Sequence, residues 1–405
     1  MKKNTLYISY DGLTDPLGQS QILPYLTKIS SKSHNIDIIS FEKSESFKNT
    51  KELILEKIKN KNINWYFLKY TKNPPLLSTI FDLFKGTNLI KKLYQKNNYQ
   101  IVHCRGYIAG LIGLKMNKKF DIPLIFDMRG WWPDEKLESG NWDNFIFKSV
   151  YYYFKRKEKE LFNKSSKTIS LTEIGRKQIL KNKWSNEDKI GVIPTCVDFN
   201  NFPKFDLNTK INTRANLKIS LKSQVLIYSG SLGGNYDFKD FAIVFKTFLK
   251  RNLDNQIIIL SKTSINYLKI KLKEFKIDEN RLRIISSPFK DVYKYLQASD
   301  IGLIIYKREF STIGRSPTKL GEYWASGIPA LSLKGIGDLE SIISKYPHGG
   351  QLVNKLNEKE LDKSFDALSK NNSKEKLRAS AKEYYHIDKG VKFYSNIYNE
   401  LLKEN

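Results

Sequence analysis

Short apolar runs alternate with amphipathic stretches along most of the chain. Runs rich in β-branched residues at 4–10, 36–41, 63–68, 100–104, 122–127, 167–171 and 189–193 read as strands, and apolar residues at helical spacing fill most of the intervals. That alternation predicts parallel sheets covered by helices on both faces. The rhythm stops over 194–224, where Pro194, Pro203 and several Asn and Asp leave no convincing strand. This segment reads as a linker followed by a lead-in helix. The rhythm restarts at 225–229, 256–260, 282–286, 300–306 and 329–333, and 357–403 is helical in pattern and highly charged. The expected organisation is α/β with two doubly wound domains, 1–195 and 225–387, on either side of 196–224. Ligands of such sheets sit at the carboxyl ends of the strands. The chemistry is therefore expected in the loops that follow the strands, in a cleft between the domains.

Composition narrows the classes. With 40% hydrophobic residues among 405, the chain has enough apolar material for sizeable cores. Lys and Arg number 69 against 42 Asp and Glu, a formal charge of +27. Such an excess suits an anionic partner, whether nucleic acid, anionic lipid or a phosphorylated substrate, although the abundance of Lys, Asn and Ile is also what an AT-rich genome produces. Cys104 and Cys196 form no CxxC, and the four histidines form no HExxH, so a disulfide framework and a histidine-rich metal centre are not expected. The N-terminal apolar stretch is too short for a signal peptide, and no window reaches the roughly 20 apolar residues of a membrane span. The expected location is cytoplasmic, with peripheral attachment to the inner membrane face left open. Residues 145–189 carry 12 basic and 5 acidic residues interleaved with aromatics, a pattern that suits an anionic membrane surface.

Four loops carry candidate chemistry. In the first, Gly18 is expected to precede a helix capped by Ser20, where a glycine-rich turn can meet a phosphate. His103 and Arg105 end one strand of the first domain, and Asp127, Arg129, Trp131, Trp132 and Glu135 follow the next. Carboxylates can hold sugar hydroxyls, and tryptophan faces suit sugar faces; Asp127 with Arg129 can equally be a local ion pair. In the second domain, Gly230, Ser231 and Gly233 lie in GSLGGN, a loop able to cradle a diphosphate. It is not GxGxxG, and no acid follows at the next strand end, which argues against a nicotinamide cofactor. Last comes GRSPTKLGEYWASGIP. Here Ser316 reads as an N-cap, Pro317 as the first helical residue and Gly327 as the stop. Arg315 and Lys319 add charge to a helix start that includes Thr318, and Glu322 shares their face, placed to take ribose hydroxyls.

Over nearly its whole length the chain resembles the family 4 glycosyltransferases of the retaining GT-B type. The residues that carry the resemblance are YDGLTDPLGQSQILPYL, IFDMRGWWPDE, VIPTCVDFNNF and SPTKLGEYWASGIPAL. It implies two Rossmann-like domains facing across a cleft, with a C-terminal helix near 388–402 returning to the first. It implies a nucleotide-sugar donor held by the second domain, a saccharide or lipid-linked acceptor held by the first, and sugar transfer with retention and no metal or other cofactor. Glu322 matches the family's ribose-binding glutamate. Arg315 and Lys319 would stabilise the leaving diphosphate, Asp127 and Arg129 would hold the acceptor hydroxyl, and His103, Arg105, Trp131, Trp132 and Glu135 would line the acceptor site.

Three positions depart from the family pattern. Gly314 stands where a donor-sugar glutamate is common, GSLGGNYD lacks an Arg and a Lys often found there, and Arg105 replaces a common histidine. These leave the donor sugar open. The competing readings are a nucleic-acid-binding protein, suggested only by the charge, another GT-B enzyme such as a sugar-nucleotide epimerase, and a non-catalytic scaffold. No helix-turn-helix, RRM, KH or zinc pattern supports the first.

Overall fold

The computed structural model describes residues 3–30, 34–232, 237–370 and 373–403. The chain divides into two compact units, Met1–Pro194 with Ile387–Asn405, and Thr195–His386.

The first unit holds strands β1 (Lys3–Ser9), β2 (His34–Glu42), β3 (Ile63–Lys69), β4 (Ile101–Arg105), β5 (Leu124–Asp127), β6 (Lys167–Ser170) and β7 (Ile190–Val192). They form one parallel sheet in the order β3-β2-β1-β4-β5-β6-β7. All of β4 is buried, as expected of a central parallel strand with helices on both faces. The register places His103 beside Tyr7 and Arg105 beside Asp127. Strand alternation therefore points His103 and Arg105 to one face and Cys104 to the other. The helix Ile387–Leu401 belongs to this unit and buries Ile387, Val391, Tyr394, Tyr398 and Leu401, a stripe at helical spacing.

The second unit holds β8 (Val225–Ser229), β9 (Gln256–Leu260), β10 (Leu282–Ile285), β11 (Ile301–Ile304), β12 (Ala330–Leu333) and β13 (Gly350–Val353), in the order β10-β9-β8-β11-β12-β13. Every strand pair in both sheets is parallel. Strand β13 escapes the sequence pattern because it opens on Gly350, directly after Gly349, and has only Leu352 and Val353 as apolar residues. Pairing with β12 supplies what its own residues do not. The stretch 196–224 lies inside this unit. Val197, Phe202 and Ile219 join its core, and the helix Leu207–Asn216 carries a fully buried Arg214.

The first loop differs from its sequence reading. The helix begins at Pro16, after Asp15, and Gly18 lies within it rather than before it. Ser20 is a helical residue whose hydroxyl donates to the Pro16 carbonyl. A Cβ at Gly18 would stand 2.1 Å from the Gly12 carbonyl oxygen, so glycine here serves close packing. The loop amides are already engaged by a carboxylate. Leu13 N donates to Glu42 Oε1 at 2.7 Å and Thr14 N to Oε2 at 3.2 Å, while the Ser40 hydroxyl donates to Oε1 at 2.6 Å. The Thr14 hydroxyl also bonds Glu42, which is itself buried. An internal anion thus occupies the cradle that was expected to meet a phosphate.

Candidate active site

In the first unit, charged side chains gather at the carboxyl ends of β4 and β5. Asp127 is the hub. The Tyr394 hydroxyl donates to its Oδ2 at 3.0 Å. Arg105 Nη1 lies 3.8 Å and Arg129 Nη1 3.7 Å from its carboxylate, with His103 Nε2 at 3.9 Å. These separations exceed ordinary hydrogen bonds. Asp127 Oδ1, Arg105 Nε, Arg129 Nε and His103 Nε2 are buried without a hydrogen-bond partner. Such atoms cost free energy unless something else satisfies them, so the cluster can take a further polar group. Arg129 adopts φ of +58°, and a long side chain in that region costs about 1–3 kcal/mol, the kind of strain that collects at functional sites. Burial pushes His103 down to about 4 against the pull of Asp127, so its ring is neutral near pH 7. His103 Nδ1 lies 2.7 Å from the Tyr398 hydroxyl, enclosed beneath the helix Ile387–Leu401.

Beside this cluster opens a cavity of about 900 Å³. Arg105, Arg129, Trp132 and Glu135 line it. Trp132 stacks on Tyr107 and meets Trp142 and Phe154 edge-on. Tyr107 is fixed from behind by Glu158, which accepts its hydroxyl at 2.5 Å and which burial raises to about 7.

In the second unit, the helix Thr318–Ala325 presents its start beside the end of β8. Lys319 Nζ lies 4.9 Å from the Tyr228 ring centre and 5.3 Å from that of Tyr306, and the Arg315 guanidinium lies 4.8 Å from Tyr306. Gly230, at φ of +145°, lies so close that a Cβ would stand 2.8 Å from Lys319 Cε. The Tyr323 hydroxyl accepts from Ser229 N and donates to Leu303 O, both at 3.2 Å, which ties the helix to β8 and β11. Glu322 is half-buried, and burial raises its carboxyl to about 7 against the draw of Lys319. Two cations, a carboxylate and a helix start thus gather near the carboxyl ends of β8 and β11, an arrangement that can hold a diphosphate and a ribose.

Residues 26–201 match the model of Glycosyltransferase Family 4. The whole chain adopts the GT-B fold. It is similar to a sucrose-phosphate synthase from Thermosynechococcus elongatus, at 12% identity and TM-score 0.77 with both chains covered in full. It is also similar to a glycosyltransferase from Rickettsia africae, at 16% identity and TM-score 0.70, again with full coverage of both. A third similar structure is Anabaena HepE in complex with UDP and glucose, at 12% identity and TM-score 0.72, covering 98% of this chain and 100% of that one. No curated protein matches the sequence.

In the second unit, the structure brings together Arg315, Lys319 and Gly230, with Glu322 one turn along the same helix as Lys319. Ser316 is not an N-cap. The helix begins at Thr318, and Ser316 instead accepts from Thr195 N at 3.1 Å and from its hydroxyl, through the Ser316 carbonyl, at 2.6 Å. The Gly230 amide donates to Leu260 O, and the Ser231 carbonyl accepts from Tyr228, so this part of the loop serves its own turn. Gly233 lies outside the described residues. On the acceptor side, Trp131 is a core residue, packed on Phe162 and Trp184, because only the second of two adjacent tryptophans at a helix start faces the cavity. His103 likewise faces the interior. Tyr394 and Tyr398 were missed. Their helical spacing reads as plain core, and nothing local shows that their hydroxyls reach Asp127 and His103. Among the described residues no group of three or more His, Cys, Asp or Glu is placed to hold a metal, and no helix is long and apolar enough to cross a membrane.

Proposed function

We propose that this protein is a retaining glycosyltransferase. It moves a sugar from a nucleotide-sugar donor, bound by the second unit, to a saccharide or lipid-linked acceptor bound by the first, in the synthesis of a cell-surface polysaccharide or glycolipid. The observation that carries the reading is the convergence of Lys319, Arg315 and Gly230, with Glu322 on the same helix. Lys319 and Arg315 stabilise the charge of the departing diphosphate, the role a metal plays elsewhere, and Glu322 accepts the ribose hydroxyls. Asp127 and Arg129 orient the acceptor hydroxyl. HepE was solved with UDP and glucose and with UDP-glucose, which favours a uridine donor among the bases to test. A thermal-shift series with UDP, GDP, ADP and CMP, each with and without Mg²⁺, tests the proposal. UDP will raise the melting temperature without metal, by mass action on the folded state. No shift with any nucleotide sinks the donor site.

Glu322 gives a pH signature. Its carboxyl titrates above its ordinary value of 4.5 in the folded chain. Its contribution to stability is therefore present below about pH 4.5 and lost as pH rises through about 7. Ribose hydroxyls donate to the ionised form, so UDP affinity will rise between about pH 6 and about pH 8. Glu322→Gln will flatten that rise, measured by calorimetric titration; an unchanged slope removes Glu322 from the donor site.

The basic charge serves attachment to an anionic membrane surface in this reading, on the cytoplasmic side. Phe145 at 86% and Phe84 at 63% exposure stand on helices rich in lysine, Phe145–Lys164 and Leu77–Asn97. Co-sedimentation with phosphatidylglycerol vesicles will be strong at low salt and will fall with added salt. Absence of binding at low salt overturns it.

A further inference from the structure

The cavity of the first unit is larger and more apolar than a sugar requires. Its volume of about 900 Å³ lies near the upper end of the range for ligand pockets, ~300–1,000 Å³. Its walls are Leu83, Ile108, Leu111, Trp142, Ile146 and Phe154. Sugar sites present many polar groups to satisfy hydroxyls, whereas most of this lining is carbon, with uncharged polar contacts left to hydroxyls such as those of Ser78, Thr79, Ser149 and Tyr70. The charge is concentrated elsewhere on the lining. Arg105 and Arg129 line it at the end of β4 and just after β5, and each has a buried Nε without a hydrogen-bond partner. Arg105 is only 5% exposed. Lys72 and Lys136 add two further cations, against Asp11 and Glu135. Arg129 Nη2 donates to Gln21 at 3.4 Å, and the carboxylates of Asp11 and Asp127 stand 3.7–3.8 Å from the two guanidiniums; the two buried Nε donors still lack a hydrogen bond and favour a further anionic group. An adjoining groove extends the apolar surface. It shares Ile80, Leu83 and Tyr153 with the cavity and is bordered by Lys91, Lys115 and Lys119. Ile80 and Ile146, at the mouth, are 61% and 65% exposed, which is unusual for isoleucines unless something apolar covers them.

We propose that this cavity binds an anionic amphiphile, with a long hydrocarbon chain along the apolar walls and a phosphate head at Arg105 and Arg129. That this amphiphile is the sugar acceptor rests on the glycosyltransferase reading; that it binds does not. The site assigns chemistry to both halves of one molecule. A free phosphate would leave the apolar walls wet, and a neutral lipid would leave the two Nε donors without a hydrogen bond.

The test is direct titration of the full-length protein, below micelle-forming concentrations. The emission of Trp132 and Trp142 reports on the cavity they line. The probes are farnesyl phosphate, dodecyl phosphate, farnesol and inorganic phosphate. Both chain phosphates will bind, and farnesyl phosphate will bind at least about tenfold more tightly than farnesol, the worth of a charge-assisted hydrogen bond. Inorganic phosphate will not compete at equal concentration. Leu83→Trp, which narrows the cavity, and Ile146→Glu, which puts a charge at its mouth, will each weaken the chain phosphates at least about tenfold; Arg129→Ala will remove the preference over farnesol. Retained circular dichroism and an intact UDP thermal shift certify that a variant is folded. Wild-type affinity in either folded cavity variant overturns the assignment, as does failure of both chain phosphates to bind the native protein. Equal binding of farnesol and farnesyl phosphate overturns the placement of the head. A missing UDP shift alongside normal binding of the chain phosphates would refute the transferase reading and leave the amphiphile site standing.

Discussion

Lys319→Ala will lower the turnover of sugar transfer by about 10²–10³-fold, the usual consequence of removing one preorganised donor from a developing negative charge. The ammonium is held between the rings of Tyr228 and Tyr306, with Gly230 leaving just enough room for its terminal carbons. That environment positions a compact point charge. Lys319→Arg will therefore not restore activity, because the wider planar guanidinium does not fit the same space. Gly230→Ala will reproduce much of the loss without touching a charge, since the new methyl collides with Lys319 Cε and forces an L residue to a φ suited to glycine. Steady-state kinetics of the three variants, with the UDP-induced melting shift as a second readout, decide the matter. Full activity in Lys319→Ala would move the leaving-group role to Arg315 alone.

Arg214→Ala will cost the second unit about 3–5 kcal/mol, the range for removing one partner of a buried ion pair. Arg214 is wholly buried. It donates from Nε to Ala298 O at 2.8 Å, from Nη1 to the carbonyls of Ser220, Leu221 and Ser223, and from Nη2 to Asp300 Oδ2 at 2.7 Å. Asp300 also accepts from Val225 N and Lys210 at 2.8 Å each, so the loss would leave an acid and four carbonyl oxygens short of a donor. Melting should fall by roughly 6–20 °C for a unit of this size. Lys cannot replace five fixed donors, so Arg214→Lys will behave almost as badly. A change of under about 1 kcal/mol would mean that water enters and satisfies the site.

The strands other than β13 were legible because continuous β-branched runs leave few alternatives, and the helix Thr318–Ala325 because Pro317, Gly327 and its charges mark its ends. Three other features were hidden for physical reasons. Arg214 sits among Asn, Lys and Thr, and only the folded chain shows that one of these polar residues is buried and fully bonded. The first loop looked like a phosphate cradle, yet Glu42, 28 residues beyond Thr14, fills it. Trp131 and Trp132 are indistinguishable in sequence and opposite in fate. Local pattern reports which side chains prefer burial; it does not report which distant side chain will arrive to meet them.

The helix Ile387–Leu401 is the last described element of the chain, yet Tyr394 bonds Asp127 and Tyr398 meets His103 in the first unit. Synthesis runs from the N-terminus, so β1 to β7 emerge from the ribosome long before the helix that completes their charged cluster. The second unit, continuous from Thr195 to His386, is made in between and can fold first. The first unit must wait with a sheet face uncovered and Asp127 without its tyrosine. A chain cut before residue 387 would keep the whole of its second unit and leave the first without the helix that brings Tyr394 to Asp127 and Tyr398 to His103.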